Sequence, residues 1–350
     1  MNIKGLTIVE LQDYLGSLNL PKFRATQIFE WLYQQKVCSW EEMTNLPKSL
    51  RHFFSEHGVS LGCLTLVNQA AAPDHTVKYL FELDDGHTVE SVYIPETDRN
   101  TVCFSTQVGC GMGCIFCATG QTGLSRNLSV SEIIDQVLSA GRITGTNINN
   151  LVAMGQGEPL ANYEALMKAI RIINDPHGLG IGARHITIST CGLIPKIYQL
   201  AGESLQVNLA ISLHAADDEL RNQLMPINKS YPLKELFKAC REYTDRTGRR
   251  LTFEYALIKN VNDRAMDLHN LIACFAELGE RSRVLYHINL IPYNPIPASN
   301  FERSTPQRIK EFAASLNRTG IETTIRKERG SNLAAACGQL QGKWVDLSKG

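Results

Sequence analysis

The sequence predicts an α/β protein: a partial (β/α)6 barrel preceded by a small helical domain and a β-hairpin connector. Three observations carry this. From residue 101 onward apolar strand-like runs alternate with helical runs, the pattern of parallel strands joined by crossover helices. Before that, two β-rich runs flank Asp84-Asp85-Gly86, a hairpin signal. Before those, apolar residues recur at helical spacing. The expected boundaries are 1–60 for the helical accessory domain, 61–100 for the connector and 101–350 for the barrel with a C-terminal cysteine loop.

In the first segment Val9, Leu11, Leu15 and Leu18 form one helical stripe, and Ile28, Phe29, Trp31 and Leu32 another, with Pro21 and Pro47 as punctuation. Residues 1–60 carry six basic and six acidic side chains. Charge therefore leaves open whether this domain binds RNA or only caps the barrel. In the connector, Thr76–Leu83 and Thr88–Ile94 are the hairpin strands. Period-two alternation puts Glu90 on a face with Val92 and Ile94. If that face is buried, Glu90 is a carboxylate in an apolar setting, suited to a general base. If Val89 and Tyr93 are the buried ones, Glu90 is solvated.

The barrel strands are expected at Thr101–Val108, Asn150–Gly155, His185–Thr190, Val207–Leu213, Leu251–Ile258, Val284–Ile291 and Ile321–Arg326. Ser129 with Glu132 makes a capping box ahead of Ile133, Ile134, Val137 and Leu138. Thr305-Pro306 opens a later helix with proline at its first position.

Composition excludes several classes. Lys plus Arg and Asp plus Glu number 35 each, so no global field draws in a polyanion. Local patches exist: residues 229–250 and 303–330 each carry seven basic and three acidic side chains. They read as phosphate contacts or as solvated helix faces. No apolar run approaches the roughly 20 residues of a membrane span, and no membrane partner is expected. The first residues, MNIKGLTIVELQDYL, show no export pattern. With ten cysteines, this points to a reducing, cytoplasmic setting in which cysteine is ligand, catalyst or core rather than structural disulfide.

Ligands of α/β sheets sit at the carboxyl ends of strands. Polar residues gather there: Gln156-Gly157-Glu158, Ser189-Thr190, Ser212 with His214, and Asn294 in Pro292-Tyr293-Asn294-Pro295. Singly these are helix caps; together on one rim they read as a ligand site.

Beside that rim lies GCGMGCIFCATG, residues 109–120, with Cys110, Cys114 and Cys117 spaced C-x3-C-x2-C. Thiolates ligate iron–sulfur clusters, usually four per cluster. Three hold three irons of a 4Fe–4S cluster and leave the fourth open. A zinc site would need a distant fourth ligand, and plain core thiols would not need this rhythm among glycines. Cys103 lies seven residues before Cys110. Cys337, in Ala334-Ala335-Ala336-Cys337-Gly338, has small neighbours that give access to its sulfur, unless it is an inert buried thiol. Cys38, Cys63, Cys240 and Cys274 show no pattern and read as core or incidental, as does Cys191 except that it follows the proposed rim.

The stretches FRATQIFEWLYQ, EEMTNLP, VESVYIP, QVGCGMGCIFCATGQTGLSRNL, GEPLANY, ISLHA, LMPIN, NLIPYNP and AACGQL span nearly the whole chain. On them the chain resembles the RlmN/Cfr family of radical S-adenosylmethionine (SAM) RNA methyltransferases, most of all its RlmN branch. Gln156, Cys191 and Ser331-Asn332-Leu333-Ala334 depart from the family pattern. The resemblance implies a radical SAM barrel with a 4Fe–4S cluster on Cys110, Cys114 and Cys117. It implies SAM contacts at Gly157, Glu158, Ser189, Ser212, Leu213, His214 and Asn294. It implies Cys337 as the methylated cysteine, Cys103 as its resolving partner and Glu90 as general base. The implied product is 2-methyladenosine in 23S rRNA and in tRNA. Two SAM molecules are consumed per turnover, and a transient disulfide forms. A flavodoxin or ferredoxin is the implied electron donor; nothing in the sequence demands more than a monomer. Two rivals remain at this stage: Cfr-like C8 methylation of the same rRNA adenosine, and a non-catalytic iron–sulfur RNA-binding protein.

Overall fold

The computed structural model describes residues 1–279, 285–297, 299–327, 329–330, 333 and 336–341. Ser331, Asn332, Ala334 and Ala335 of the cysteine loop, Val284 and Glu328 lie outside them.

Strand–helix alternation from residue 100 builds one sheet of parallel strands. They are β4 (Asn100–Cys103), β7 (Asn150–Ala153), β8 (Ile186–Thr190), β9 (Asn208–Ser212), β10 (Leu251–Leu257), β11 (Tyr286–Pro292) and β12 (Thr323–Ile325). They lie side by side in that order, each parallel to the next. The crossovers are α5 (Val130–Thr144), α6 (Tyr163–Asn174), α7 (Ile194–Leu200), α8 (Asp218–Leu224), α9 (Leu233–Thr247), α10 (Ala265–Gly279) and α11 (Pro306–Arg318). The Ser129–Glu132 capping box is made, and Thr305 caps α11 with Pro306 at its first turn.

The hairpin is continuous with this sheet. Three antiparallel strands, β1 (Thr65–Ala71), β2 (Val77–Glu82) and β3 (Thr88–Pro95), extend it past β4. The ten-stranded sheet begins at β1 and ends at β12, so the barrel is open. β1 was not expected: its Leu66 and Val67 are 37% and 51% exposed, so no apolar alternation marks it.

The run Thr101–Val108, expected as one strand, breaks after Cys103. Gly155 N–H donates to Phe104 O at 3.0 Å, and a Cβ on Gly155 would lie 2.7 Å from Phe104 backbone atoms. With Ser105 Oγ donating to Glu90 O and Thr106 N–H to Gln156 O, the chain turns off the sheet. It then forms a separate hairpin, β5 (Gln107–Cys110) with β6 (Gly123–Asn127). The short helix α4 (Ala118–Gln121) lies between them.

The amino-terminal helices are α1 (Ile8–Ser17), α2 (Phe23–Tyr33) and α3 (Lys48–Glu56). Leu11, Leu15, Ile28, Phe29 and Leu32 are buried as their spacing requires, whereas Val9 is 60% exposed. The module is seated onto α5 by a buried ion pair, Lys4–Asp135, and Lys4 is itself held within the module by Tyr33 Oη donating to its carbonyl. Cys38 and Cys63, read above as core or incidental, form a disulfide. They are brought together because Cys38 follows α2 and Cys63 starts the connector, a closure that local sequence cannot reveal. Among the described residues no helix is long and apolar enough to cross a membrane.

Candidate active site

At the carboxyl ends of the parallel strands lies a cavity of about 170 Å³. Cys110, Cys114 and Cys117 line it from the hairpin loop, Gly157 and Glu158 from the end of β7, and Ser189 and Cys191 from β8. Ser212 and His214 come from β9, Asn294 from β11, and Cys337 from the C-terminal loop. Most of the expected rim is therefore assembled. Gln156 and Leu213 are the exceptions. Gln156 turns away from the cavity, its Oε1 accepting from Glu90 N–H at 3.1 Å. Alternation along the strand turns the Leu213 side chain into the core, its N–H donates to Glu254 O, and its carbonyl accepts from Arg221.

The cluster loop is held tightly. A Cβ on Gly120 would lie 2.7 Å from Cys114 O and 3.0 Å from Cys114 N, so only glycine lets the chain fold back here. Ile115 N–H donates to Leu224 O at the end of α8. Among the described residues no three His, Cys, Asp or Glu side chains converge as the shell of a single metal ion. The three thiols instead share one cavity wall, as a multi-iron core requires. Burial raises all three thiols, Cys110 to about 11, so iron must take the place of their protons.

His214 is buried, and burial lowers it to about 3, so it is neutral. Its Nδ1 accepts from Ala256 N–H at 3.0 Å. The proton is thus on Nε2, which is left as a donor. Its ring meets Phe116 edge-on at 4.7 Å. Glu158 accepts from Cys191 N–H and Leu160 N–H, and burial raises its carboxyl. These hydroxyl, amide and imidazole groups match the hydroxyls, carboxylate and ammonium of a nucleoside-bearing amino acid.

Cys337 belongs to two cavities. It closes the first and, with Cys103, lines a second of about 60 Å³. Both thiols are free. The loop that carries Cys337 is fixed at several points. Gly338 O accepts from Ala118 N–H at 2.7 Å, Leu340 O from Thr119 Oγ1 at 2.6 Å, and Cys337 O from Asn294 Nδ2 at 3.2 Å. Gln341 N–H donates to Glu90 Oε2 at 2.6 Å.

Glu90 lies outside both cavity walls, beneath the end of this loop. Its strand β3 is buried on both faces, which answers the alternation question in favour of burial. Its setting is not purely apolar, however: Lys78 Nζ stands 2.9 Å from Oε1. Cys103 pairs with Val92 on the neighbouring strand, and burial raises its thiol to about 12.

Sequence reasoning passed over Lys78 and Glu254, and read Arg326 only as a strand end within the basic patch at 303–330. Arg326 lines both cavities and reaches Glu254, itself buried on β10, at 3.5 Å. The available signal was a single charge inside an apolar strand, as at Lys78 and Glu254.

A family model described as the radical SAM superfamily matches residues 104–272, and one described as the ribosomal RNA large subunit methyltransferase N-terminal domain matches residues 1–59. Proteins named "Probable dual-specificity RNA methyltransferase RlmN" align along nearly the whole chain. The one from Natranaerobius thermophilus is 48% identical, covering 98% of this chain and 97% of its own. That from Geobacillus kaustophilus is 47% identical, covering 98% and 93%. The chain belongs to the RlmN family. A crystal structure of a radical SAM methyltransferase from Sphaerobacter thermophilus superposes with TM-score 0.93 at 45% identity, over 98% of this chain and all of that one. The FeFe-hydrogenase maturase HydG from Carboxydothermus hydrogenoformans shares the fold at TM-score 0.50 and 18% identity, over 65% of this chain and 54% of its own. As a member of the RlmN family the protein is a radical SAM RNA methyltransferase, and membership implies a 4Fe–4S cluster and SAM. The three-thiol wall and the polar rim fit both groups.

Proposed function

We propose that the protein makes 2-methyladenosine in 23S rRNA and in tRNA through a methylated Cys337. The observation that carries this reading is the position of Cys337 between the cavity of the cluster thiols and the cavity of Cys103. Adenine C2 is electron-poor and bears hydrogen, so a polar methyl transfer has no nucleophile to use.

When bound at Cys110, Cys114 and Cys117, the cluster supplies the electron that cleaves SAM to a 5′-deoxyadenosyl radical. Cys337 acts twice. Its thiolate takes a methyl group from a first SAM, forming S–CH3 as the sulfonium C–S bond breaks. The radical from a second SAM removes a hydrogen atom from that methyl, and the carbon adds to C2, joining RNA to Cys337. The one electron that the adduct radical must lose would return to the cluster held by Cys110, Cys114 and Cys117, and Glu90 takes the C2 proton. Cys103 thiolate attacks the Cys337 sulfur. The S–S bond forms, the C–S bond breaks, and its electron pair leaves with the carbon, which is protonated to the new methyl group. Gly157, Glu158, Ser189, Ser212, His214 and Asn294 orient SAM. Leu213 bounds the site from the core side.

The same reading makes residues 1–60 an RNA-docking accessory domain ahead of a connector over 61–100 and the barrel over 101–350. It takes the enzyme as a cytoplasmic monomer, fed by a flavodoxin or ferredoxin.

Nucleoside mass spectrometry tests it. Unmodified 23S rRNA and tRNA are treated with anaerobically reconstituted protein, SAM and reductant. A 2-methyladenosine peak is expected from both RNAs. An 8-methyladenosine peak would move the reaction to C8. Neither peak, with 5′-deoxyadenosine still formed, would overturn the substrate.

A further inference from the structure

Arg221, on α8, is fully buried. A buried cation is costly unless it is paired and hydrogen-bonded. Its hydrogen bonds all go to neutral oxygens. Nε donates to Leu213 O at 3.0 Å, Nη2 to Cys191 O at 2.9 Å and Ser212 O at 3.1 Å, and Nη1 to Asn228 Oδ1 at 2.8 Å. Among the described residues it has no carboxylate partner. Asp218 is exposed; it is bridged to the guanidinium by Asn228, whose Nδ2 donates to it at 2.8 Å, and otherwise acts on it only through space.

The surroundings point to where the missing negative charge lies. The residues that close α8, Leu224 and Met225, pack with Cys114, Cys117 and Cys191. Leu224 O accepts from Ile115 N–H, inside the cluster loop. The guanidinium thus sits behind the wall formed by the cluster thiols. Cys191, whose carbonyl accepts from Nη2, belongs to the same packed group as Cys114. A 4Fe–4S cluster on three thiolates carries net negative charge, and one-electron reduction increases it.

We infer that Arg221 is the buried counter-cation of the cluster and holds its reduction potential up, with Asn228 keeping that cation unneutralised. Arg221 is a positioning residue here: it acts on SAM only through the cluster. A low-dielectric site strengthens such a charge, and net charge and hydrogen bonding are among the levers that set cluster potentials. The inference rests on the cluster and not on which RNA is methylated.

The test is a redox titration of the reconstituted holoenzyme without SAM or RNA. Dithionite and mediators poise the sample, and EPR reads the reduced fraction. Arg221→Met is expected to lower the reduced-to-oxidised ratio at a fixed potential about tenfold, a midpoint lower by about 59 mV for one electron. Asn228→Asp sets a carboxylate against Nη1 in the same shape and is expected to move the midpoint the same way. Arg221→Lys, which keeps the charge, is expected to stay near the parent. Should Arg221→Met not retain its cluster, Asn228→Asp decides alone. An unchanged midpoint in Asn228→Asp would overturn the inference. So would a shift in Arg221→Lys equal to that in Arg221→Met, because the hydrogen-bond geometry would then matter and not the charge.

Discussion

The ammonium of Lys78 lies 2.9 Å from Oε1 of Glu90, and the two side chains are only 3% and 1% exposed. The residues sit on neighbouring hairpin strands, Lys78 opposite Val92 and Leu80 opposite Glu90. The carboxylate proposed to take the C2 proton is therefore held by a buried cation on one side and by Gln341 N–H on the other. Breaking such a pair from one side leaves an unpaired buried charge, at a cost of about 3–5 kcal/mol. Lys78→Met is expected to lose about that much unfolding free energy. The double variant Lys78→Met with Glu90→Gln, which leaves no charge, is expected to regain at least half. A denaturant double-mutant cycle measures this, and a single-variant cost below about 1 kcal/mol would mean the pair is solvated.

Cys103 and Cys337 divide the proposed chemistry, so their variants must fail differently. Cys337→Ala is expected to bring methylation to background with no RNA attached to protein, since nothing accepts the methyl group. Cys103→Ala is expected to form the RNA–Cys337 adduct and to stop there, because no thiolate releases it. Denaturing gels with labelled RNA separate these outcomes. Turnover by Cys103→Ala at the parent rate would remove Cys103 from the mechanism.

Strand–helix alternation and polar strand ends were legible because each is a local property of the chain. Ser189, Ser212, His214 and Asn294 fall on one rim by their positions at strand ends alone. Leu213 comes from the family resemblance and not from that logic. It lies between two rim residues in sequence, yet alternation turns it into the core. The break after Cys103 depends on Gly155 and Gln156, some fifty residues away, and no local signal carries it. The same holds for Lys78 with Glu90, Arg326 with Glu254, and Arg221 with the ends of β8 and β9. Each needs the sheet register before the partner is known. Cys38 and Cys63 looked patternless because their separation of 25 residues matches no motif.

His214 gives a pH prediction. Burial lowers its imidazole from 6.5 to about 3. A depressed value means that the neutral form supports the fold. That contribution is present above about 6.5 and is lost as pH falls toward 3. By linkage the apoprotein is expected to be about 2 kcal/mol less stable at pH 5 than at pH 7 through this residue. His214→Asn, which keeps an acceptor for Ala256 N–H, is expected to flatten that part of the stability curve. An NMR titration in which the His214 ring takes up a proton near pH 6.5 would contradict the burial.

The Cys38–Cys63 disulfide closes a loop that contains all of α3, so its reduction should act on the amino-terminal module first. For a separation of 25 residues, chain entropy gives about 3.5 kcal/mol of stabilisation relative to the reduced chain. Arg142 Nη1, 2.6 Å from Cys38 Sγ, and Lys4 Nζ, 3.4 Å from Cys63 Sγ, tie the same bond to α5 and to the start of the chain. A phosphine reductant is therefore expected to bring forward unfolding of residues 1–60 while leaving the barrel midpoint in place. Hydrogen exchange resolves the two regions. The Cys38→Ser, Cys63→Ser double variant is expected to start from the lower midpoint and to ignore the reductant. If alkylation mapping finds the pair oxidised and reductant still changes nothing in residues 1–60, the disulfide does not hold that module. Its seat then rests on the buried Lys4–Asp135 pair, and Asp135→Asn becomes the variant that releases it.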